Sequence, residues 1–299
     1  MEGIIKNQIK LYKESWESMG IAAAVIWYNP DKNNILNIKS YIDYIEKLYI
    51  IDNSREDHQK LLKELENLKI DYIFNGKNLG IAKALNIACD KAKTGGYNWI
   101  LTMDQDSSFN GKIIKQYLKI FRYTENKEVG IISPLHLLKN DIRKIDEKKI
   151  FIKTDNVMTS GNFLNLDIWE KIGKFDETLF IDEVDSDFCY RLTENKYKIL
   201  QLNKIEMFHE LGNLEKRRFF TKKISILNHN YIRKYYITRN RFYMLKKYKK
   251  YRKRYIYYIL NDFFKVILYE RDKKRKLTYM FRGMNDFFHN KMGELNDSK

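Results

Sequence analysis

The stretch Trp99-Ile100-Leu101-Thr102-Met103-Asp104-Gln105-Asp106-Ser107 narrows the possible folds more than any other part of the chain. A short apolar run with an aromatic and a β-branched residue reads as a buried strand. It stops on two acids one residue apart. Ligands of α/β sheets gather at the carboxyl ends of strands, so acids with a chemical task belong there. Two carboxylates at such an end suit a hard divalent cation, which takes oxygen ligands and is commonly shared with a substrate's phosphates. A polar turn after an edge strand has the same local pattern, so the choice rests on the remaining sequence.

Residues 21–27 (IAAAVIW) form a continuously apolar run, as expected of a central parallel strand covered on both faces. The turn signal Tyr28-Asn29-Pro30-Asp31 ends it. Ile35, Ile38, Ile42, Ile45 and Leu48 then mark a helix, and 48–51 the next strand, which ends in Asp52-Asn53-Ser54. Leu61, Leu62, Leu65 and Leu68 predict another helix and 70–74 a third strand. Such alternation predicts a parallel sheet with right-handed crossovers. In the segment NLGIAKALNIA, Asn78 is placed to cap a helix, and Gly80, Ala82 and Ala84 are small. That helix start either lets phosphates approach backbone N–H groups or simply packs tightly. Ile113, Tyr117, Ile120 and Phe121 mark a helix after the acid pair, and 129–133 a further strand; 142–149 reads as a charged connection.

The segment 159–191 is equally informative: TSGNFLNLDIWEKIGKFDETLFIDEVDSDFCYR. Asp167 to Gly173 has the acid start and glycine stop of a two-turn helix. Val184, Phe188 and Leu192 share one face of the next helix, and Asp182, Glu183, Asp185 and Asp187 crowd its start. Acids there complement the helix dipole without any function. Four within six residues also repel one another, and a partly buried member would carry a raised pKa, useful to a general base. His209 follows a strand expected around 198–202, in a loop where a lone histidine is ordinarily just solvated.

The net charge of +17 is unevenly placed. Residues 214–299 hold 25 Lys and Arg against 7 Asp and Glu, with 19 aromatics interleaved, whereas the first 213 hold 31 against 32. The split marks a domain boundary. Ile224, Leu227, Tyr231, Tyr235, Phe242 and Leu245 keep near-helical spacing, and a basic, Tyr-rich amphipathic helix suits an anionic membrane surface. Single-stranded nucleic acid is the competing partner, and part of the stretch can be a solvated face. Cys89 and Cys189 lie in apolar helical patterns and read as reduced core residues, not a disulfide or metal set. The opening residues alternate charges with isoleucines and read as no signal peptide. Ile5, Ile9, Tyr12, Trp16 and Met19 predict an amphipathic helix ending at Gly20. No apolar run is long enough to span a membrane, since the best, 255–269, is broken by Asn261, Asp262 and Lys265.

The ordered set YNP, Asp-Asn-Ser, NLGIAKALN, DQDS, TSG, FDETLFIDEVDSDFCYR, HELG and YYITRN resembles the family 2 glycosyltransferases of the GT-A fold, specifically their bacterial rhamnosyltransferase-like branch. The match covers about 22–240. The resemblance implies an α/β fold, Rossmann-like with a mixed, mainly parallel sheet and helices on both faces. The basic, aromatic-rich helical region follows it. The domains expected are an N-terminal helix over 1–20, a GT-A catalytic domain over 21–213, and a membrane-associating region over 214–299. Tyr28, Asn29 and Asp52 fall where the family holds the donor's base, and Asn78 and Gly80 border the nucleotide. Asp104 and Asp106 match the DXD pair, with Asp106 the more direct ligand of Mn²⁺ or Mg²⁺ and Asp104 nearer the ribose. His209 matches a late histidine that completes the metal site. Aligned on Arg191, Asp185 falls on the family's catalytic base, with Val184 in place of the usual Glu and Asp182 as an alternative base. Gly161, Trp169 and Asp182 would border the acceptor.

The activity implied is inverting, metal-dependent transfer of a sugar from a nucleotide diphosphate to a saccharide hydroxyl. L-rhamnose from dTDP-rhamnose is the foremost donor, with UDP-hexoses and UDP-galactofuranose behind it. The acceptor would be a lipid-linked saccharide of a bacterial surface polysaccharide, the enzyme peripheral on the cytoplasmic face of the membrane. No nucleic-acid partner is expected, and a homodimer stays open. A nucleotidyltransferase, or an inactive binding module that kept the fold, are the alternatives.

Overall fold

The computed structural model describes residues 20–65, 69–124, 126–137, 150–209, 215–219 and 222–296. The helix expected over 1–20 and the connection over 142–149 lie outside them. Two compact units emerge, and neither follows chain order. One comprises the chain up to Asn78 with Ala84–Lys174 and Cys189–His209; the other comprises Leu79–Lys83, Phe175–Phe188 and everything from 210 onward.

The first unit is built on a nine-stranded sheet. Its main path is β3 (Ile70–Phe74), β2 (Lys47–Asp52), β1 (Ala22–Trp27), β4 (Trp99–Asp104), β8 (Asn162–Asn165), β6 (Val129–Leu137), β9 (Lys198–His209) and β5 (Ser107–Ser108), while β7 (Phe151–Lys153) pairs with β9 off the path. β1 is buried at all six positions, as its unbroken apolar sequence requires of a strand between parallel neighbours. β8 runs antiparallel to both β4 and β6, so the sheet is mixed but mainly parallel at the end that matters here. Trp27 stands opposite Asp52, Ile26 opposite Asp104 and Asp52 opposite Phe74. The carboxyl ends of four parallel strands therefore share one edge. Beneath them Phe121 stacks on Phe163 at 4.1 Å, with Tyr117 tilted against Phe163 at 4.7 Å.

The helix after β1, α1 (Lys32–Lys39), starts on a capping box: the Asp31 carboxylate accepts from Asn33 and Asn34 N–H, and the Asn34 side chain accepts from Asp31 N–H. It stops earlier than the apolar spacing implied. Ser40 closes it by donating its hydroxyl to Asn37 O and accepting from Phe109 N–H, and Ile42–Tyr44 continue only as a 3-10 turn. Between β2 and β3 the expected helix is a 3-10 turn at Gln59–Glu64, without a side-chain cap at His58. His58 is engaged elsewhere, its N–H on the Tyr72 hydroxyl and its Nδ1 on Asp52. α2 (Ile81–Thr94), α3 (Gly111–Thr124) and α4 (Leu166–Lys171) follow, the last capped by the Asn165 side chain on Asp167 and Ile168 N–H. Cys89 and Cys189 are free, buried thiols.

The second unit takes the start of α5 (Val184–Glu194), a hairpin of β10 (Glu215–Phe219) and β11 (Lys222–Ile226), and three helices: α6 (Tyr231–Lys247), α7 (Arg252–Leu268) and α8 (Lys273–Phe288). Ile224 is thus in a strand, and the near-helical spacing read from it onward becomes a helix only at Tyr231, where the Asn230 side chain caps Arg233 N–H. α6 and α8 approach closely because Gly283 faces the Tyr235 carbonyl; a Cβ there would lie 2.5 Å from that oxygen. None of the described helices is long and apolar enough to cross a membrane.

Candidate active site

The Asp104-Gln105-Asp106 turn is held from three sides. The Gln105 side chain accepts from Tyr28 N–H at 2.8 Å and donates to Tyr28 O at 3.3 Å, tying the end of β1 to the end of β4. Asn34 and Asn37, one turn apart on α1, both donate to Gln105 O at 2.9 Å. The buried Ser160 hydroxyl accepts from Asp104 N–H at 3.0 Å. The residue between the two acids does the anchoring, which leaves the backbone no freedom to drift. Asp104 is half-buried and Asp106 exposed. His209 ends β9 as a strand residue rather than in a loop, its backbone registered opposite Ser107, the residue after Asp106. Its side chain is outside those described.

The Thr159-Ser160-Gly161 turn is fixed as firmly. Gly161 N–H donates to Thr102 O at 2.6 Å, the Thr102 hydroxyl donates to Thr159 O, and the buried His136 Nε2 lies 2.6 Å from Ser160 O. Tyr117 shares its hydroxyl between the carbonyls of Ile132 and Gly161, 2.7 Å from each. Gly161 has φ +77°, and a Cβ there would lie 2.6 Å from Met207 Sδ. Only glycine meets both demands.

At the β2 end, Asp52 is fully buried and its carboxylate already engaged. Oδ1 accepts from Ser54 N–H; Oδ2 accepts from the Tyr72 hydroxyl at 2.7 Å and faces His58 Nδ1 at 3.0 Å. Burial, reinforced by Asp52, pushes the Tyr72 hydroxyl well above its ordinary range. Ser54 in turn accepts from Asn29 N–H, and Tyr28 stands exposed beside it. Tyr28, Asn29, Asp52, Asp104 and Gly161 are therefore brought to one edge.

Two expectations change. α2 begins at Ile81, so Gly80, with φ +83°, occupies the cap position and Asn78 precedes it. Ile81 N–H donates to Phe180 O at 2.7 Å, and a Cβ on Gly80 would lie 2.7 Å from that same oxygen. The small residue here allows close packing on Phe180. Trp169 is fully buried, with Lys174 4.9 Å over its ring, so no indole face is offered to a sugar.

The acid-rich turn has an unusual backbone. Phe180, Asp182 and Glu183 all have φ between 64° and 66°, a region that non-glycine residues enter at a cost of about 1–3 kcal/mol each. α6 holds it there. Asn240 Nδ2 lies within 3.0 Å of three carbonyls, those of Leu179, Ile181 and Asp182. The fully buried Arg239 donates to the carbonyls of Leu179, Thr178 and Gly293. Three of the four acids, Asp182, Glu183 and Asp187, each face a cation. Arg233 forms a bidentate pair with Asp182, at 2.7 and 2.8 Å. Arg241 and the Tyr255 hydroxyl reach Glu183, and Lys247 and the Tyr248 hydroxyl reach the fully buried Asp187 at 2.6 and 2.7 Å. Burial pushes the Glu183 carboxyl up, Arg241 and Tyr255 pull it back, and Asp182 adds to the rise. The carboxyl raised by burial is thus Glu183, whose oxygens face Arg241 and Tyr255. Asp182 likewise serves the fold through Arg233, whatever its part toward an acceptor. Asp185 sits half-buried in the first turn of α5, its Oδ1 accepting from Ser186 N–H. Sequence reasoning missed the clamp of Arg233, Arg239, Asn240, Arg241 and Lys247; the one signal was the YYITRN motif, whose partners lie about 60 residues upstream.

Comparison with known proteins fits this fold. The S. aureus protein TarS superimposes with a TM-score of 0.59 at 13% identity over 91% of this chain, and a 1–349 fragment of it in complex with UDP-GlcNAc gives 0.58 at 12%. GalNAc-T7 with UDP, GalNAc and Mn²⁺ gives 0.52 at 14% identity over 64% of this chain. The chain spans 44% of the GalNAc-T7 chain, 49% of the longer TarS chain and 81% of the fragment. The architecture is that of the GT-A fold. Residues 33–175 match the model of glycosyl transferase family 2, and a dTDP-rhamnosyl transferase, RfbF of Shigella flexneri, is 27% identical over 243 residues, 76% of this chain and 80% of its own. Over residues 33–175 the chain is similar to glycosyltransferase family 2.

Proposed function

We propose that this enzyme transfers L-rhamnose from dTDP-rhamnose to a saccharide hydroxyl with inversion. The observation that carries the reading is the Asp104-Gln105-Asp106 turn, pinned at the shared carboxyl edge of four parallel strands. Similarity to the rhamnosyl transferase supports the choice of donor. Tyr28 and Asn29, with Asp52 orienting Ser54 and His58 beneath, are suited to the base and ribose, and Asn78 and Gly80 border the nucleotide. Gly161 fixes the turn that carries Ser160 against Asp104.

Hard carboxylate oxygens at a strand end, with a histidine backbone registered opposite the next residue, are a donor set that Mn²⁺ or Mg²⁺ accepts. Among the described residues no group of three or more His, Cys, Asp or Glu is preassembled for a metal, and the His209 side chain is outside that search. Asp104, Asp106 and His209 would hold the ion, which would supply charge neutralisation at the departing diphosphate. Asp185 takes the proton from the acceptor hydroxyl as it attacks the anomeric carbon, and one displacement inverts that centre. Asp182 remains the second choice of base, its bidentate pair with Arg233 counting against it. The acceptor is a lipid-linked saccharide in surface-polysaccharide synthesis, reached by a cytoplasmic enzyme peripheral to the membrane through 214–299. A catalytic region over 21–213 is the corresponding division of labour.

A panel of nucleotide sugars with Mn²⁺, scored for donor hydrolysis and for protection against heat, tests the donor. dTDP-rhamnose should stand out, and preference for a UDP-hexose would sink that choice. Asp185→Asn should lower transfer about 10²–10⁴-fold while donor protection persists. Asp106→Asn should abolish both. Release of pyrophosphate instead of dTDP would mean nucleotidyl transfer.

A further inference from the structure

α7 has an apolar face turned the wrong way. Its inner side, Tyr255, Ile259 and Val266, is buried as in any packed helix. Its outer side carries Ile256, Tyr257, Leu260, Phe264, Ile267 and Leu268, which are 37–64% exposed. At 100° per residue these six fill one continuous arc opposite the buried one, about 18 Å long from end to end. Phe281 of α8 continues it, half exposed and with its ring 5.5 Å from that of Phe263. A helix apolar on both faces needs a second covering, and an exposed patch of this size marks an interaction site.

The charges say what covers it. Between 249 and 296, the exposed ionic residues are nine cations and two acids, Asp272 and Glu294. The cations cluster at the two ends of the apolar arc, Lys249, Lys250, Arg252 and Lys253 before it and Arg271, Lys273, Lys274 and Arg275 after it. The remaining acids are turned inward and engaged: Asp262 by Arg241, Glu270 by Lys234 and Lys276, and Asp286 by the Tyr235 hydroxyl. Outward charge is therefore almost wholly positive. A second copy of α7 laid on this face would bring basic ends onto basic ends in either direction. Single-stranded nucleic acid would use stacking surfaces, yet four of the six exposed residues are aliphatic. An anionic bilayer meets both requirements, apolar arc into the acyl boundary and cations among the headgroups.

We infer that α7 lies in the plane of an anionic membrane surface and is the element that docks the enzyme there. This rests on the reading of a membrane-held acceptor and assigns it to one helix face. Arg233, Arg239, Arg241 and Lys247, which hold the acidic turn, take no part.

The test is flotation or co-sedimentation of the full chain with vesicles of phosphatidylglycerol mixed into phosphatidylcholine, against phosphatidylcholine alone. The full chain should bind the anionic vesicles and release them as salt rises. Leu260→Glu with Phe264→Glu, both at exposed positions, should lower partitioning at least tenfold with circular dichroism and Tm unchanged. Neutralising Lys249, Lys250, Arg252 and Lys253 to Gln should cost about fivefold for each charge. Equal binding to both vesicle types, unchanged binding by the double Glu variant, or a dimer in the ultracentrifuge that the double variant dissolves, would each overturn the assignment. Because the readout is binding and not turnover, it stands or falls independently of the sugar-transfer chemistry.

Discussion

Single residues at the two turns carry more of this design than their size implies. Gly161 combines φ +77° with contacts that leave no room for a methyl group, Met207 Sδ and Pro134 Cγ lying 2.6 and 2.8 Å from where it would sit. Gly161→Ala should therefore destabilise by about 2–4 kcal/mol, left-handed strain and overpacking together. Urea unfolding measures this, and a loss under 1 kcal/mol would mean the turn can shift freely. Asp176 is a subtler case. Burial works against its charged form, but bonds from Thr178, Tyr243 and Lys247 outweigh that and hold the carboxyl below its usual range. A depressed folded pKa stabilises fully above the unfolded value of about 3.9 and is lost as pH falls through the folded one. Asp176→Asn should accordingly flatten the decline of stability between about pH 5 and pH 2. Parallel declines in wild type and variant, read from urea midpoints, would remove Asp176 from the acid response. Of these two sites, the sequence showed only a TSG turn and one acid among many. A positive φ and a partner 67 residues away leave no local mark.

At the level of elements, what could be read from sequence divides by range. The run IAAAVIW and the apolar stretch ending at Asp104 are buried on both faces, and continuous burial writes itself into consecutive residues, so β1 and β4 were legible. So was the acid pair at the β4 end. The early stop of α1 was not, because Ser40 is recruited by Phe109, far along the chain. The purpose of the tail's cations was hidden for the same reason: composition counts charge but not direction. Three of those cations, Arg233, Arg239 and Arg241, serve the strained turn before α5, and Asn240 is its centre. Its Nδ2 has two protons for three carbonyls, so donors are scarce there and no acceptor can be tolerated. Asn240→Asp, nearly isosteric, should thus be at least as damaging as Asn240→Ala, each costing about 3 kcal/mol or more through stranded buried carbonyls. Chemical denaturation decides between this and a space-filling role, in which Asp would rescue and Ala would not. If the turn also positions Asp185, both variants should lower kcat more than they raise KM for the donor.

The whole molecule is interleaved, and that governs how it can be cut. The second compact unit includes Leu79–Lys83 and Phe175–Phe188 along with the chain from 210 onward. Phe180 stacks on Tyr236 at 5.0 Å, and the fully buried Arg239 donates to the carbonyls of Thr178 and Leu179 as well as to Gly293 and Asn240. Charge composition places a division near 214, but a fragment of 214–299 would keep the cations and lose the acids and carbonyls that neutralise them. Arg233 would lose Asp182, Lys247 the fully buried Asp187 and Arg241 one of its two acids, Glu183, keeping Asp262, and removing one side of a buried pair costs about 3–5 kcal/mol. That is comparable to the whole stability of a small domain. The isolated fragment should consequently retain helical far-ultraviolet dichroism, show little near-ultraviolet signal from its many aromatics, and unfold without a sharp transition. Adding back 173–188 through a short linker should restore a cooperative transition, since it returns Phe180, Asp182, Glu183 and Asp187 at once. A fragment of 214–299 that unfolds cooperatively by itself, at a midpoint equal to that of the linked form, would show that the acidic turn depends on α6 but not α6 on the turn.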